Sequence, residues 1–118
     1  MIRAIAFVAA MLATPAFAQD AANANGADLR LLDKISGQVT TLNLSVGDRA
    51  TVGHLQVVLN ECRYPVDNPS GDAFAELTAY YNNQADPVFD GWMIASAPAL
   101  SAMEHPRYDV WVVRCITS

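Results

Sequence analysis

Two cysteines, two histidines and two tryptophans hold most of the chemistry this 118-residue chain can offer. Cys62 and Cys115 are an even pair. In an oxidising compartment such a pair predicts a disulfide. It would close a loop of more than 50 residues, which on chain-entropy grounds stabilises a fold by about 4 kcal/mol. Zinc is the competing use of two Cys and two His, but neither His54 nor His105 stands at ligand spacing from a cysteine. The chain has no C-x-x-C, so a redox-active pair is not expected. No metal and no cofactor are assigned.

His105 lies between Glu104 and Pro106, with Asp109 close by and Ser96 and Ser101 upstream. A catalytic histidine needs a nucleophile to deprotonate or a carboxylate to orient it. Neither serine stands in a G-x-S-x-G context, so no catalytic residue is assigned and both histidines read as surface or structural. The enzyme alternative is a hydrolase of an envelope polymer, with His105 as base and Ser96, Ser101 or Asp109 assisting. The loop Asp67–Asp72, DNPSGD, is rich in oxygen donors of the kind calcium favours. Its spacing fits no EF-hand, and the same residues make any tight turn.

Trp92 and Trp111 are joined by Tyr64, Tyr80, Tyr81 and Tyr108. Aromatics bury large areas in a small core, so the tryptophans are expected inside or against the disulfide. An exposed aromatic patch would instead serve a glycan, a lipid or a protein, with Tyr64 and Tyr81 at loop edges the stronger candidates. Arg63, Arg107 and Arg114 flank the cysteines and the segment between them. The candidate binding surface is Trp92, Ser96, His105, Arg107, Tyr108 and Tyr64.

These residues need a frame, and strand signals dominate the chain. Short extended runs are expected at 29–34, 38–44, 49–52, 55–60, 73–81, 88–95 and 108–115, separated by turn residues. Leu55, Val57 and Leu59 alternate with Gln56, Val58 and Asn60, the period of a half-buried strand. Residues 96–105 are Ala-rich with Pro98 near the start, which predicts one short helical turn. The sum is an all-β domain: a small antiparallel sandwich or barrel of about seven strands, braced by one disulfide. The disulfide would tie the end of the fourth strand to the end of the last.

The N-terminus reads as an address. Arg3, an uncharged run from Ala4 to Ala13, Pro15 and Ala16-Phe17-Ala18 form the three-part layout of a secretory signal peptide over residues 1–18. That run is too short for a membrane span of roughly 20 residues. The expected domain plan is signal peptide 1–18, disordered leader 19–28 and a single β domain 29–118, located in the periplasm with no transmembrane segment after cleavage. Without Arg3, six Lys and Arg stand against twelve Asp and Glu, a net charge of −6. Such a surface repels phosphate backbones and speaks against nucleic acid as a partner.

The runs ECRYPVDNPSGDAFAELTAY and FDGWMIASAPALSAMEHPRYDVWVVRC, with LRLLDKISGQVTTLNLSVGD and VGHLQVVLNEC upstream, resemble the alphaproteobacterial exported family catalogued as domain of unknown function 2155. The resemblance covers about Leu29 to Cys115. It implies export and a compact two-cysteine domain, and it brings no catalytic residues to carry over. It also draws attention to Gly91–Ser96 and His105–Tyr108 as the most distinctive text in the chain. The expected function is a non-catalytic binding or accessory domain of the cell envelope, contacting another envelope protein.

Overall fold

Residues 21–117 are described by the computed structural model; the signal-peptide reading of residues 1–18 lies outside them. Eight strands follow in order: β1 (Ala21–Asn23), β2 (Gly26–Asp33), β3 (Val39–Ser45), β4 (Arg49–Val52), β5 (Leu55–Pro65), β6 (Phe74–Tyr81), β7 (Phe89–Ile94) and β8 (Tyr108–Ile116). A 3-10 turn, Pro98–Ser101, interrupts the connection from β7 to β8. Every strand pairing is antiparallel.

The strands form two sheets. In the smaller, β2 lies between β3 and β8. In the larger, β5 pairs with β6, which pairs with β7. The other edge of β5 is shared: β4 pairs with its first residues, Leu55 to Val58, and β1 with its last, Arg63 to Pro65. Period-two alternation turns one face of each sheet inward. Leu55, Val57, Leu59 and Leu77 from the larger sheet meet Leu29, Leu31, Val110 and Val112 from the smaller in one core, all at most 2% exposed. At one side β3 runs beside β4, and at the other β8 runs beside β7. The segment between β7 and β8 sends Met103 into the core. The architecture is therefore the sandwich rather than the barrel.

The disulfide joins Cys62 of β5 to Cys115 of β8, with Cα atoms 5.8 Å apart, a separation a disulfide spans comfortably. It is a staple between the two sheets. Both thiols are consumed by it, which closes the zinc alternative.

Two expectations change. The leader drawn over 19–28 does not stay outside the fold where it is described. Residues 21–23 add a strand to β5 and Gly26 opens β2, which makes eight strands instead of about seven. Its small residues are what allow this. Ala24 and Ala27 are buried, and a Cβ on Gly26 would collide with the Leu44 carbonyl. A run that looks too small to bury anything is small because other backbone packs against it. The second change is at β5, which continues through Cys62 to Pro65, beyond the alternating run that announces it. A bulge between Leu59 and Glu61 breaks the alternation and hides the continuation.

Candidate functional site

The residues singled out in the sequence do not converge on one face. His105, Arg107 and Tyr108 meet at one end of the sandwich, beside the end of β6. The Tyr108 ring is buried, and its hydroxyl accepts a hydrogen bond from the His54 backbone N–H at 3.0 Å. Gly53, at φ 60°, makes room for that hydroxyl, since a Cβ there would meet it. The His105 ring lies 4.5 Å from the Tyr81 ring, centroid to centroid. Its Nδ1 accepts from two backbone N–H groups, Arg107 at 3.1 Å and Tyr108 at 3.2 Å. Arg107 pairs with Asp33 at 3.3 Å and lies over the Tyr108 ring, 5.2 Å from its centroid. Partial burial pushes the Asp33 carboxyl up. The hydrogen bonds from Arg107, Ile35 N–H and Ser36 N–H outweigh it and hold Asp33 below its ordinary value. Arg107 is in turn raised by Asp33.

Ser96 belongs to the opposite end. Its hydroxyl donates to Asp72 Oδ2 at 2.7 Å and its N–H to Asp72 Oδ1 at 3.0 Å. Burial raises the Asp72 carboxyl, but these bonds and the Ala73 N–H hold it below its ordinary value. Asp72 thus anchors the 66–73 loop to the end of β7 instead of facing a shared cation site. Among the described residues no group of three or more His, Cys, Asp or Glu is placed to hold a metal ion. Tyr64 is at this end too, half-buried, opposite Ala22 of β1. Ser96 therefore packs beside the start of β6 and His105 beside its end. The strand rise puts about 20 Å between them. That distance excludes the Ser96–His105 pairing, and the His105 Nδ1 is already occupied by two backbone donors.

Trp92 is on neither end. It stands 37% exposed on the outer face of the larger sheet, opposite Glu76. The Arg63 guanidinium lies over it, 5.3 Å from the ring centroid, and pairs with Glu61 at 3.1 Å. The expectation of two buried tryptophans fails for both: Trp92 follows the outward phase of β7 while Met93 takes the inward one, and Trp111 is half-buried on β8 between the inward Val110 and Val112.

The same outer face carries a groove of about 490 Å³ that sequence reasoning did not single out. Its floor is built by outward residues of three neighbouring strands: Arg49 and Thr51 of β4, Gln56 and Asn60 of β5, Thr78 and Tyr80 of β6. Register sets Thr51 across from Gln56, and Gln56 across from Tyr80. Asn60 donates to the Thr78 hydroxyl at 2.8 Å, and that hydroxyl donates to Asp90 at 3.3 Å. The rim is a turn in which Asn82 and Asn83 both adopt left-handed φ, 55° and 57°. Asparagine tolerates that conformation better than most side chains. The signal was present in β5: the alternation that sends Leu55, Val57 and Leu59 inward must send Gln56 and Asn60 outward.

Comparison with known proteins adds a family. The model of the family described as "Uncharacterized protein conserved in bacteria (DUF2155)" matches residues 27–115. An "Uncharacterized protein" of Rickettsia prowazekii (strain Madrid E) is 30% identical over 87 residues, covering 71% of this chain and 56% of its own length. The chain thus spans a little over half of that relative. No solved structure matches. The chain belongs to the DUF2155 family.

Proposed function

We propose that this member of the family is an exported, non-catalytic binding domain of the periplasm that contacts another protein of the cell envelope. One observation carries the binding reading. Trp92 is exposed on a sheet face with the Arg63 guanidinium over it, and Trp and Arg are the residues that most often dominate protein interfaces. Three side chains with catalytic potential support the same reading, because His105, Ser96 and Asp72 are engaged in holding backbone or loop. His105 binds two N–H groups, and Ser96 and Asp72 bind each other. Among the described residues no helix is long and apolar enough to cross a membrane.

Export is supported by the layout of residues 1–18 and tested by the mature N-terminus. Protein recovered from cells should begin at Gln19, and recovery starting at Met1 would overturn export. Binding is tested by pull-down from periplasm with wild-type protein, Trp92→Ala and Val39→Ala, the last exposed on the smaller sheet. A partner should be held by wild type and Val39→Ala and lost by Trp92→Ala. Capture indifferent to Trp92 sinks this face as the contact.

A further inference from the structure

We infer that the groove beside β4, β5 and β6 is a binding site for an acidic oligosaccharide, with Arg49 taking its carboxylate. The groove is large enough for a small ligand, since such sites run from roughly 300 to 1,000 Å³. Its lining is wrong for an apolar one. Gln56 and Asn60 on the floor and Asn82, Asn83 and Gln84 on the rim present primary amides, and Thr51 adds a hydroxyl. An amide carries two donors and a two-lone-pair acceptor in one plane. Outward side chains on neighbouring strands repeat about every 5 Å across the sheet and about 7 Å along it. A fixed lattice of paired donors and acceptors at that spacing suits a chain of hydroxyls and acetamido groups. Among the described residues no hydrogen-bond partner engages the Gln56, Asn83 or Gln84 amides, so they are available to a ligand. The Tyr80 ring supplies a flat apolar surface in the same groove for a sugar face.

The charge of the ligand follows from the charge of the lining. The chain as a whole is acidic, with net charge −5, yet among the described residues no carboxylate lines this groove. Asp90, the nearest acceptor of the network, is reached only through Thr78. Arg49 is the lining cation, and among the described residues it enters no ion pair. A guanidinium without an ion-pair partner in a groove lined by amides matches a carboxylate held bidentately.

This site rests on the reading of the chain as a binding domain but lies apart from Trp92, which does not line it. The test is an NMR titration of the uniformly ¹⁵N-labelled mature protein with three probes: a hyaluronan tetrasaccharide, neutral chitotetraose and tetraglutamate. The hyaluronan fragment should shift amides of β4, β5, β6 and the 82–84 turn, and bind about tenfold more tightly than chitotetraose, the margin of one charge-assisted contact. Tetraglutamate should leave the groove unmoved. Arg49→Gln should erase the preference between the two sugars, and Gln56→Ala should weaken both. Equal affinity for the two sugars in wild type, shifts outside the groove, or no shifts at all would overturn the proposal. So would a response to tetraglutamate as large as to hyaluronan, which would make this an acidic-peptide site. The two readings fail separately. A sugar-silent groove with Trp92-dependent capture removes the saccharide alone. Groove shifts with Trp92-independent capture remove the protein contact alone.

Discussion

The end of the sandwich around His105 and the outer face of the larger sheet carry similar residue types, and they spend them in opposite ways. At the end, aromatic and charged groups mostly engage one another, with the buried Arg107 Nε left over. Tyr108 holds the His54 backbone, His105 holds two N–H groups, and Arg107 holds Asp33. On the face, the amides of Gln56, Asn83 and Gln84 and the Arg49 guanidinium have no protein partner among the described residues. A polar group that is satisfied internally has already contributed its energy to folding. One left open on a rigid strand costs little, because water satisfies it, and it remains available for recognition. The distinctive residues at the His105 end are therefore mainly structural, and the functional candidates lie on the face, where Trp92 and the inconspicuous amides stand open.

Stability measurements separate the two regions. The largest effect belongs to the staple that both regions depend on. Reduction, or Cys115→Ser, should cost about 4 kcal/mol and lower Tm by roughly 20 °C; an unchanged melting curve would deny the disulfide that role. Next comes a matched pair of variants. Tyr108→Phe removes the acceptor of a part-buried N–H at the closed end and should cost about 1–3 kcal/mol in denaturant unfolding. Gln56→Ala on the open face should stay within about 0.5 kcal/mol. Similar costs for the two would erase the distinction drawn here. The smallest effect is in pH. Asp33 and Asp72 are both held below their ordinary values in the fold. A depressed carboxyl contributes stability that is present above its unfolded pKa and lost as pH falls through the folded one. Tm should therefore drop as pH falls below about 4, and part of that drop should vanish in Asp72→Asn. A variant as acid-sensitive as wild type would remove the Ser96–Asp72 contact from the list of stabilising ones.

Much of the frame was legible in the sequence because alternation and turn residues act locally. The strands from Leu29 onward and the 3-10 turn that starts at Pro98 follow from short-range pattern, and the two-cysteine bridge from the even cysteine count. What escaped was set by distant partners. Ala21–Asn23 becomes a strand only because β5 runs long enough to receive it, and that length is masked by the bulge before Glu61. The candidate site escaped for a related reason. Ser96 and His105 sit nine positions apart in sequence, but the connection they lie on travels the length of the sandwich. Gln56, Thr51 and Tyr80 are scattered in sequence and adjacent only through register. Pairing, which no single-strand pattern encodes, is what builds the groove.

The staple also sets a schedule. Cys62 and Cys115 are 53 residues apart, and β8, which carries the second, is the last strand of the smaller sheet. A chain made at roughly 5–20 residues per second exposes Cys62 for several seconds before its partner exists. During that interval β2 lacks one neighbour and the two inner faces are not yet tied together. The first cysteine must therefore wait as a free thiol, open to mispairing with any other, until the final strand arrives. The fold can be sealed only once β5 and β8 have reached the same compartment.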